Sequence, residues 1–261
     1  MPGFNLGQLR AIRLRLPPLA LQKTIAGLLG SMDDLIESNR RRIELLEQMA
    51  QAIYREWFVH FRYPGHENNE LVDSPLGPIP SGWSATRLGD VVELAYGKAL
   101  KADSRRTGDV VVVGSSGPVG SHDTPLCSGP TVVVGRKGNV GSVIWVNSDC
   151  YPIDTTFYVR TELPLRFVYQ SLRVAEFINS HAAVPGLSRE QAYGLPFLSP
   201  MAPLVDRYEE ITSPLDRLAA TLAASNEVLG SLRDLLLPKL VTGEIDVSNL
   251  DLDGVLEKAG V

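Results

Sequence analysis

The sequence predicts an α+β fold in which a strand-rich domain is flanked by two long helices that pair as an antiparallel coiled coil. Residues 19–62 and the residues after Pro203 each carry apolar side chains at alternating spacings of four and three, which is the pattern of paired helices. Between them, short Val-rich and aromatic runs are separated by Gly, Pro, Asn and Ser, which is typical of strands and turns. We therefore expect three parts, at residues 1–66, 67–200 and 201–261.

The first predicted helix spans residues 19–62. Its apolar stripe consists of Ile25, Leu29, Met32, Ile36, Asn39, Ile43, Leu46, Ala50, Ile53 and Trp57. A helix of this length, about 60 Å at 1.5 Å per residue, needs a partner helix to cover its stripe. Asn39 is the polar member of the stripe, and such a residue fixes the register of pairing at a cost in stability. We therefore expect Asn39→Leu to raise thermal stability and to make the pairing of the helices less specific.

The second predicted helix follows Pro203 and ends at Pro238, with a kink or restart at Pro214. Its stripe consists of Ile211, Leu215, Leu218, Leu222, Ser225, Leu229, Leu232 and Leu236. Both helices contain a Ser-Asn pair, and Asn226 is predicted to lie one residue off the second stripe. The residues predicted to pair the helices are Ile36, Asn39, Ile43, Leu46, Leu222, Leu229 and Leu232.

The central domain is predicted from five strand-like runs and one helical segment. The runs are VVEL, DVVVVG, TVVVGRKG, GSVIWV and TTFYVR. Residues 165–182 are predicted to be helical because their apolar side chains lie near one face. At the end of the first long helix, Trp57, Phe58 and Phe61 predict an aromatic end that docks against this domain.

Two glycine-rich segments, at 114–121 and 135–142, are candidate phosphate-binding loops. A Walker loop fails because Lys137 is followed by Gly138 and then by a strand-like run, and a dinucleotide-binding fingerprint fails because no βαβ unit is predicted. Two interpretations stay open. The glycines form hairpin turns, or Arg136, Lys137 and Asn139 lie at a hairpin tip and contact DNA phosphates or base edges.

A second set of polar side chains has the chemistry for reading bases. It consists of Lys98, Lys101, Arg105, Arg106, Ser188, Arg189 and Gln191. Arginine pairs with guanine and glutamine with adenine through two hydrogen bonds. The alternative is that these residues are ordinary solvated surface side chains.

Composition and motifs exclude several classes of protein. No apolar run reaches the roughly 18 residues of a membrane helix, and residues 1–30 lack the features of a signal peptide, so a cytoplasmic location is expected. Cys127 and Cys150 have no CxxC partner or nearby His, so neither a disulfide nor a metal site is predicted. The chain contains no GxSxG, no metal-spaced His–carboxylate pair and no Cys–His nucleophile, which favours a recognition protein over an enzyme. Its pI near 5.5 argues against a histone-like DNA binder.

Taken in order, these segments resemble the DNA specificity (S) subunit of type I restriction-modification systems, in a half-length form with one target recognition domain. PIPSGWSATRLGDVVELAYGK resembles the opening of that domain, VVVGSSGPVG, TVVVGRKGNVGSV and PIDTTFYV its body, and GLSREQAYGLPFLSPMAPL its exit. Residues 16–61 are similar to the central spacer helix, and LRDLLLPKLVTGEI is similar to the end of the second spacer. Residues 1–66 would then hold the exit of a missing recognition domain and the first spacer helix, and residues 201–261 the second spacer helix and an acidic tail.

The resemblance implies a non-catalytic subunit that reads one half of a split site in double-stranded DNA and scaffolds methyltransferase (M) subunits. Motor and nuclease (R) subunits are further implied partners. S-adenosylmethionine and ATP are expected on the partner subunits, with no cofactor on this chain. Two assemblies stay open, a homodimer and a pair with a second S polypeptide. The alternative function is a coiled-coil adaptor whose central domain binds protein rather than DNA.

Overall fold

The computed structural model describes Gly7, residues 16–177 and residues 186–247. Apart from Gly7, the predicted exit segment before residue 16 lies outside the described residues. The acidic tail from residue 248 and residues 178–185 also lie outside them.

The chain divides into two compact units. One combines the residues up to Glu47 with those from Arg217, and the other is Gln48–Asp216. The predicted α+β class is confirmed, because one long helix precedes the strand-rich region and another follows it. The helices are α1 (Leu19–Tyr54), α2 (Leu88–Val91), α3 (Leu165–Val174), α4 (Arg189–Tyr193) and α5 (Ala202–Thr242).

Helix α5 is longer and less interrupted than the sequence predicts. It continues through Pro214 and past Pro238, so the predicted restart and the predicted end are both wrong. A proline lacks an N–H donor and its ring crowds the carbonyl four residues before it, but the backbone stays helical on both sides of Pro214 and Pro238. The Pro238 carbonyl accepts a hydrogen bond from the Thr242 hydroxyl at 2.9 Å. The helix stops instead at Gly243, whose φ of +77° is the left-handed conformation that glycine adopts after a helix.

In the described part of the unit formed by the residues up to Glu47 and from Arg217, the helical segments of α1 and α5 run antiparallel. Arg233 Nη1 donates to Asp33 Oδ1 at 2.6 Å, and Asn39 Nδ2 donates to Asn226 Oδ1 at 2.9 Å. Residue numbers therefore rise along one helix as they fall along the other. The antiparallel pairing predicted for the two helices is confirmed.

The stripe of α1 faces inward as predicted, because each of its ten positions is buried or partly buried. The stripe of α5 is correct at Leu215, Leu222, Leu229 and Leu236, which are all partly buried. At the positions between them the inward residue lies one place later. Leu218, Ser225 and Leu232 are exposed, whereas Ala219, Asn226 and Arg233 are partly buried.

From Leu215 onward, the inward positions of α5 are therefore separated by four and then three residues in alternation, whereas the prediction separates them by three and then four. Both orders share the same four leucines, so apolar spacing alone cannot choose between them. The polar pair decides the register: Asn39 is only 3% exposed, and Asn226 Nδ2 also donates to the Ile36 carbonyl at 3.3 Å. The prediction that Asn226 lies off the stripe is wrong.

The Gln48–Asp216 unit contains small sheets, in which some pairs are hairpins and others join strands distant in sequence. The strands are β1 (Leu71–Val72), β2 (Ile79–Pro80), β3 (Ser84–Arg87), β4 (Glu93–Tyr96), β5 (Val110–Gly114), β6 (Gly117–His122), β7 (Thr131–Gly135), β8 (Val143–Val146), β9 (Cys150–Pro152), β10 (Thr156–Arg160) and β11 (Pro196–Ser199). Their orders are β4-β10-β7-β8, β6-β5-β9, β3-β11 and β1-β2. The five predicted runs correspond to β4, β5, β7, β8 and β10.

Both glycine-rich segments connect antiparallel neighbours, β5 to β6 and β7 to β8. Each segment therefore lies in a hairpin. Both interpretations of residues 135–142 require a hairpin, so contact of Arg136, Lys137 and Asn139 with DNA stays a prediction. The predicted 165–182 helix ends early, because Ala175 after α3 has extended backbone.

The aromatic end of α1 forms the core of this unit. A π-helical turn at Arg55–Val59 follows α1 directly and buries Trp57 and Phe58. The Phe58 ring centroid lies 5.0 Å from that of Phe167 and 5.4 Å from that of Tyr208. The predicted docking of this aromatic end is confirmed. The C-terminal end of α1 and the first turns of α5 contribute to the same hydrophobic core as the strands.

Candidate nucleic-acid interface

Two arginine side chains from separate elements lie against the ring of one tyrosine. Tyr96 is the last residue of β4, Arg136 follows β7, and Arg189 begins α4. The guanidinium carbon of Arg136 lies 5.0 Å from the Tyr96 ring centroid, and that of Arg189 lies 4.7 Å from it. Both distances are within the range of cation–π contacts. We call Tyr96, Arg136 and Arg189 the Tyr96 cluster.

Backbone hydrogen bonds bring the three elements together. The amides of Arg136 and Lys137 both donate to the Thr155 carbonyl, at 2.8 and 3.0 Å, which fixes the start of the β7–β8 loop against the turn before β10. The Leu187 amide donates to the Arg136 carbonyl at 2.8 Å. That bond holds the segment leading to Arg189 beside the loop.

The loop itself depends on glycine. Gly138 has a φ of +76°, a conformation that glycine adopts without strain. At Gly135 a Cβ atom would lie 2.0 Å from the Asn139 carbonyl oxygen, so only glycine permits this close approach. These constraints leave Lys137 and Asn139 exposed on the outside of the loop.

The Tyr96 cluster is positively charged without internal neutralisation. Arg136 Nη1 donates to the backbone carbonyl of Asp154 at 3.1 Å, and Tyr96 as a residue is 45% exposed. Within residues 16–177 and 186–247, neither arginine has a carboxylate within ion-pair distance, and the same holds for Lys137. A guanidinium that lacks a carboxylate retains donors for an external anion.

Four more of the predicted residues lie along the same stretches of chain. Lys98 is exposed two residues after Tyr96. Ser188 caps α4, because its hydroxyl accepts from the Gln191 amide at 3.4 Å. The Gln191 side chain is exposed one turn into that helix, and the Asn139 amide donates to the Ser115 hydroxyl at 3.4 Å.

The remaining predicted cations are Lys101, Arg105 and Arg106, and the two arginines make hydrogen bonds within the chain. Arg106 makes two hydrogen bonds to Asp123, at 2.6 and 2.9 Å, and we call these two residues the Arg106 pair. Arg105 donates to the Val119 carbonyl. Lys101 is exposed at the start of a short 3-10 turn. The structure thus places Arg136 and Arg189 in the Tyr96 cluster, whereas Arg105 and Arg106 bond to β6 and to the residue after it.

The charge state of the Arg106 pair is fixed. Hydrogen bonds from Arg106 lower the pKa of Asp123 to about 2, from an ordinary value of 3.8. Asp123 therefore stays ionised at neutral pH and neutralises Arg106. The backbone N–H of Arg106 also donates to His122 Nδ1 at 3.1 Å, which anchors this arginine to β6.

Tyr96 was not predicted as a site residue. It ends the β4 run and is followed by Gly97 and Lys98. An aromatic residue at the end of a strand, close to a lysine, is the sequence pattern that could have indicated it. Its two arginine neighbours are distant in sequence, and no local pattern joins them to it.

The described residues contain no group of three or more His, Cys, Asp or Glu side chains that could hold a metal ion. Likewise, none of the helices described is both long and apolar enough to cross a bilayer. Cys127 and Cys150, which the sequence treats as isolated, are adjacent in the structure, with their sulfur atoms 3.5 Å apart.

The chain is similar to specificity subunits of type I restriction enzymes over most of its length, which confirms the resemblance seen in its motifs. It is 24% identical to the MjaIX specificity subunit of Methanocaldococcus jannaschii over 95% of this chain and 64% of that protein. It is 32% identical to the MjaVIII specificity subunit of the same organism over 34% of this chain and 20% of that protein.

A solved structure shares the fold. The type I restriction-modification S subunit from M. genitalium superposes with a TM-score of 0.59 and 18% identity, over 85% of this chain and 61% of that one. The chain therefore spans less than two thirds of the length of these relatives. No protein-family model matches the sequence.

Proposed function

We propose that this chain is the sequence-specific DNA-recognition subunit of a type I restriction-modification complex, which reads one half of a split site and scaffolds methyltransferase subunits. The observation that supports it most is the Tyr96 cluster. Two guanidiniums around one exposed aromatic ring, with no carboxylate partner among the described residues, have the geometry to bind DNA phosphates or the guanine edge. The similarity to specificity subunits supports the same conclusion.

The recognition role requires no chemistry from this chain. The Tyr96 cluster and Lys137 supply hydrogen-bond donors and positive charge, and the exposed Asn139 and Gln191 amides can test adenine edges. Methylation and DNA translocation, with S-adenosylmethionine and ATP, would belong to partner subunits. The antiparallel helices would set the distance between two half-sites when this chain pairs with a second copy or another S polypeptide.

The direct test is selection of duplex DNA from a random pool by the purified chain together with its cognate methyltransferase subunits. We expect enrichment of a bipartite sequence whose binding weakens steeply with salt. Enrichment of no sequence would refute the proposal. Mass measurement of the same complex would give the number of S chains that it contains.

Charge reversal separates DNA recognition from the adaptor alternative. Arg136→Glu with Lys137→Glu should lower DNA affinity at least about tenfold and leave methyltransferase binding unchanged. The matched control is Arg40→Glu with Arg41→Glu, two adjacent exposed arginines on α1 that pair with Glu37. An adaptor would keep all of its partners in both variants, and equal DNA loss in both would show that the effect is one of net charge.

A further inference from the structure

The β7–β8 hairpin that carries Arg136 is flanked by the two cysteines of the chain. Thr131 pairs with Val146 at the open end of the hairpin. Cys127 and Cys150 lie four residues further out on each side and form a bridge in the same antiparallel register. The Cys127 amide donates to the Cys150 carbonyl at 3.1 Å, and the Cys150 amide donates to the Cys127 carbonyl at 3.0 Å.

The side chains at this bridge are close enough to bond. Their sulfur atoms are 3.5 Å apart, and directly paired antiparallel residues have Cα atoms about 5.5 Å apart, the separation most common in disulfides. Formation of a bond of about 2.05 Å therefore requires a small movement of the side chains and little movement of the backbone. Cys127 is partly exposed and Cys150 is fully buried.

We propose that Cys127 and Cys150 are a modification site, at which peroxide-class oxidants form an intrachain disulfide that closes the open end of the β7–β8 hairpin. The inference is independent of the proposed function, since it concerns only these two thiols and the hairpin between them.

The chemistry assigns a role to each sulfur. The Cys127 thiolate attacks one peroxide oxygen, the O–O bond breaks, and water leaves as the sulfenic acid forms. The Cys150 sulfur then attacks the sulfenic sulfur, and a second water leaves as the disulfide forms. Two thiols are oxidised and one hydrogen peroxide is reduced to two waters.

The opposite pKa shifts of the two thiols agree with this order. The hydrogen bond with Cys150 lowers the pKa of Cys127, and the same contact raises the pKa of Cys150. The thiolate is the reactive form of cysteine, so the exposed partner is also the more reactive one.

The test is intact-mass analysis and thiol titration of the wild-type chain after hydrogen peroxide treatment. Because the chain has only two cysteines, we expect a loss of about 2 Da, loss of both titratable thiols, and full reversal by dithiothreitol. The oxidised chain should melt about 5 to 10 °C higher, because the disulfide closes a long loop. Hydrogen exchange at the β7 and β8 amides should slow.

Two single variants provide the controls. Cys150→Ser should retain a reactive Cys127 that forms a trappable sulfenic acid, whereas Cys127→Ser should leave a buried thiol that reacts at least about tenfold more slowly. The proposal is wrong if oxidised wild-type chain gains oxygen at Cys127 while Cys150 stays free. It is equally wrong if its disulfides join separate chains.

Discussion

The Tyr96 cluster and the Arg106 pair contain the same kind of side chain in opposite situations. Arg136 and Arg189 lie against an exposed aromatic ring with no carboxylate partner among the described residues. Arg106, by contrast, makes two hydrogen bonds to an ionised Asp123. A polar group whose partner is already within the chain contributes to folding, whereas one that lacks such a partner retains its capacity to bind a ligand.

The same distinction applies to the polar residues of the helix pair. Asn39 Nδ2 donates to Asn226 Oδ1 at 2.9 Å. These side chains therefore specify the register of the helices and are not free to contact another molecule. The comparison therefore makes two kinds of prediction. Substitutions in the Tyr96 cluster should change DNA binding, and substitutions in the two internally satisfied pairs should change stability.

The largest expected effect is on DNA binding by the double variant Arg136→Ala with Arg189→Ala. Removal of both guanidiniums should weaken binding to the cognate site at least about tenfold, because each well-placed arginine contributes roughly 1–3 kcal/mol. Fluorescence anisotropy with a labelled duplex measures the change. Arg106→Ala is the matched control, and it should change the affinity less than threefold; a larger loss in Arg106→Ala than in the double variant would reverse the assignment of roles.

A smaller loss is expected at Tyr96. Tyr96→Leu removes the ring that holds both guanidiniums and should lower DNA affinity severalfold, whereas Tyr96→Phe keeps the ring and should bind within about twofold of wild type. Both variants should fold, since Tyr96 is an exposed residue at the end of β4. Equal loss in Tyr96→Phe would assign the effect to the hydroxyl group and not to the cation–π contacts.

The Asn39–Asn226 pair predicts opposite effects for one substitution and for two. The sequence alone predicts that Asn39→Leu stabilises the helices, but the structure favours the opposite outcome because Asn226 Oδ1 loses the hydrogen bond that Asn39 Nδ2 donates to it. The single variant should lose about 1 kcal/mol of unfolding free energy, and the double variant with Asn226→Leu should gain about that amount. Denaturant unfolding of both variants measures this difference. A stabilised single variant would show that Asn226 Oδ1 finds another hydrogen-bond donor.

The smallest effect concerns the Arg106 pair and pH. The pKa of Asp123 is lowered to about 2, so the stability that it contributes is present above its ordinary value of 3.8 and is lost as the pH falls through 2. The difference in Tm between wild type and Asp123→Asn should therefore shrink from pH 4 to pH 2. A constant difference over that range would show that Asp123 is not held by Arg106.

Elements with strong local periodicity could be predicted from the sequence. The stripe of α1 and the five Val-rich or aromatic runs each carry their signal within a few residues, because core burial repeats at the period of the helix or the strand. The end of α5 and its seam could not be predicted as well. Leucines occupy both candidate orders of spacing, and only the contact with Asn39 distinguishes them.

Features that depend on distant pairing could not be predicted. Strand β3 pairs with β11 across more than a hundred residues, and SATR carries no apolar alternation of its own. Tyr96, Arg136 and Arg189 are likewise separate in the sequence, so their meeting depends on the Thr155 and Leu187 hydrogen bonds. The candidate DNA-binding residues could be proposed by residue type. Only the fold divides the cations into those with a carboxylate partner and those with none among the described residues.

The central claim is tested most directly by the salt dependence of DNA binding for wild type and for Arg136→Ala with Arg189→Ala, in the presence of the methyltransferase subunits. If both arginines contact phosphates, the slope of log affinity against log salt should fall by about 2 in the variant, because each lost contact removes about one unit. If they read bases, affinity for the cognate site should fall and discrimination against other sequences should relax. An unchanged slope together with unchanged affinity and discrimination would contradict the assignment of the Tyr96 cluster to DNA.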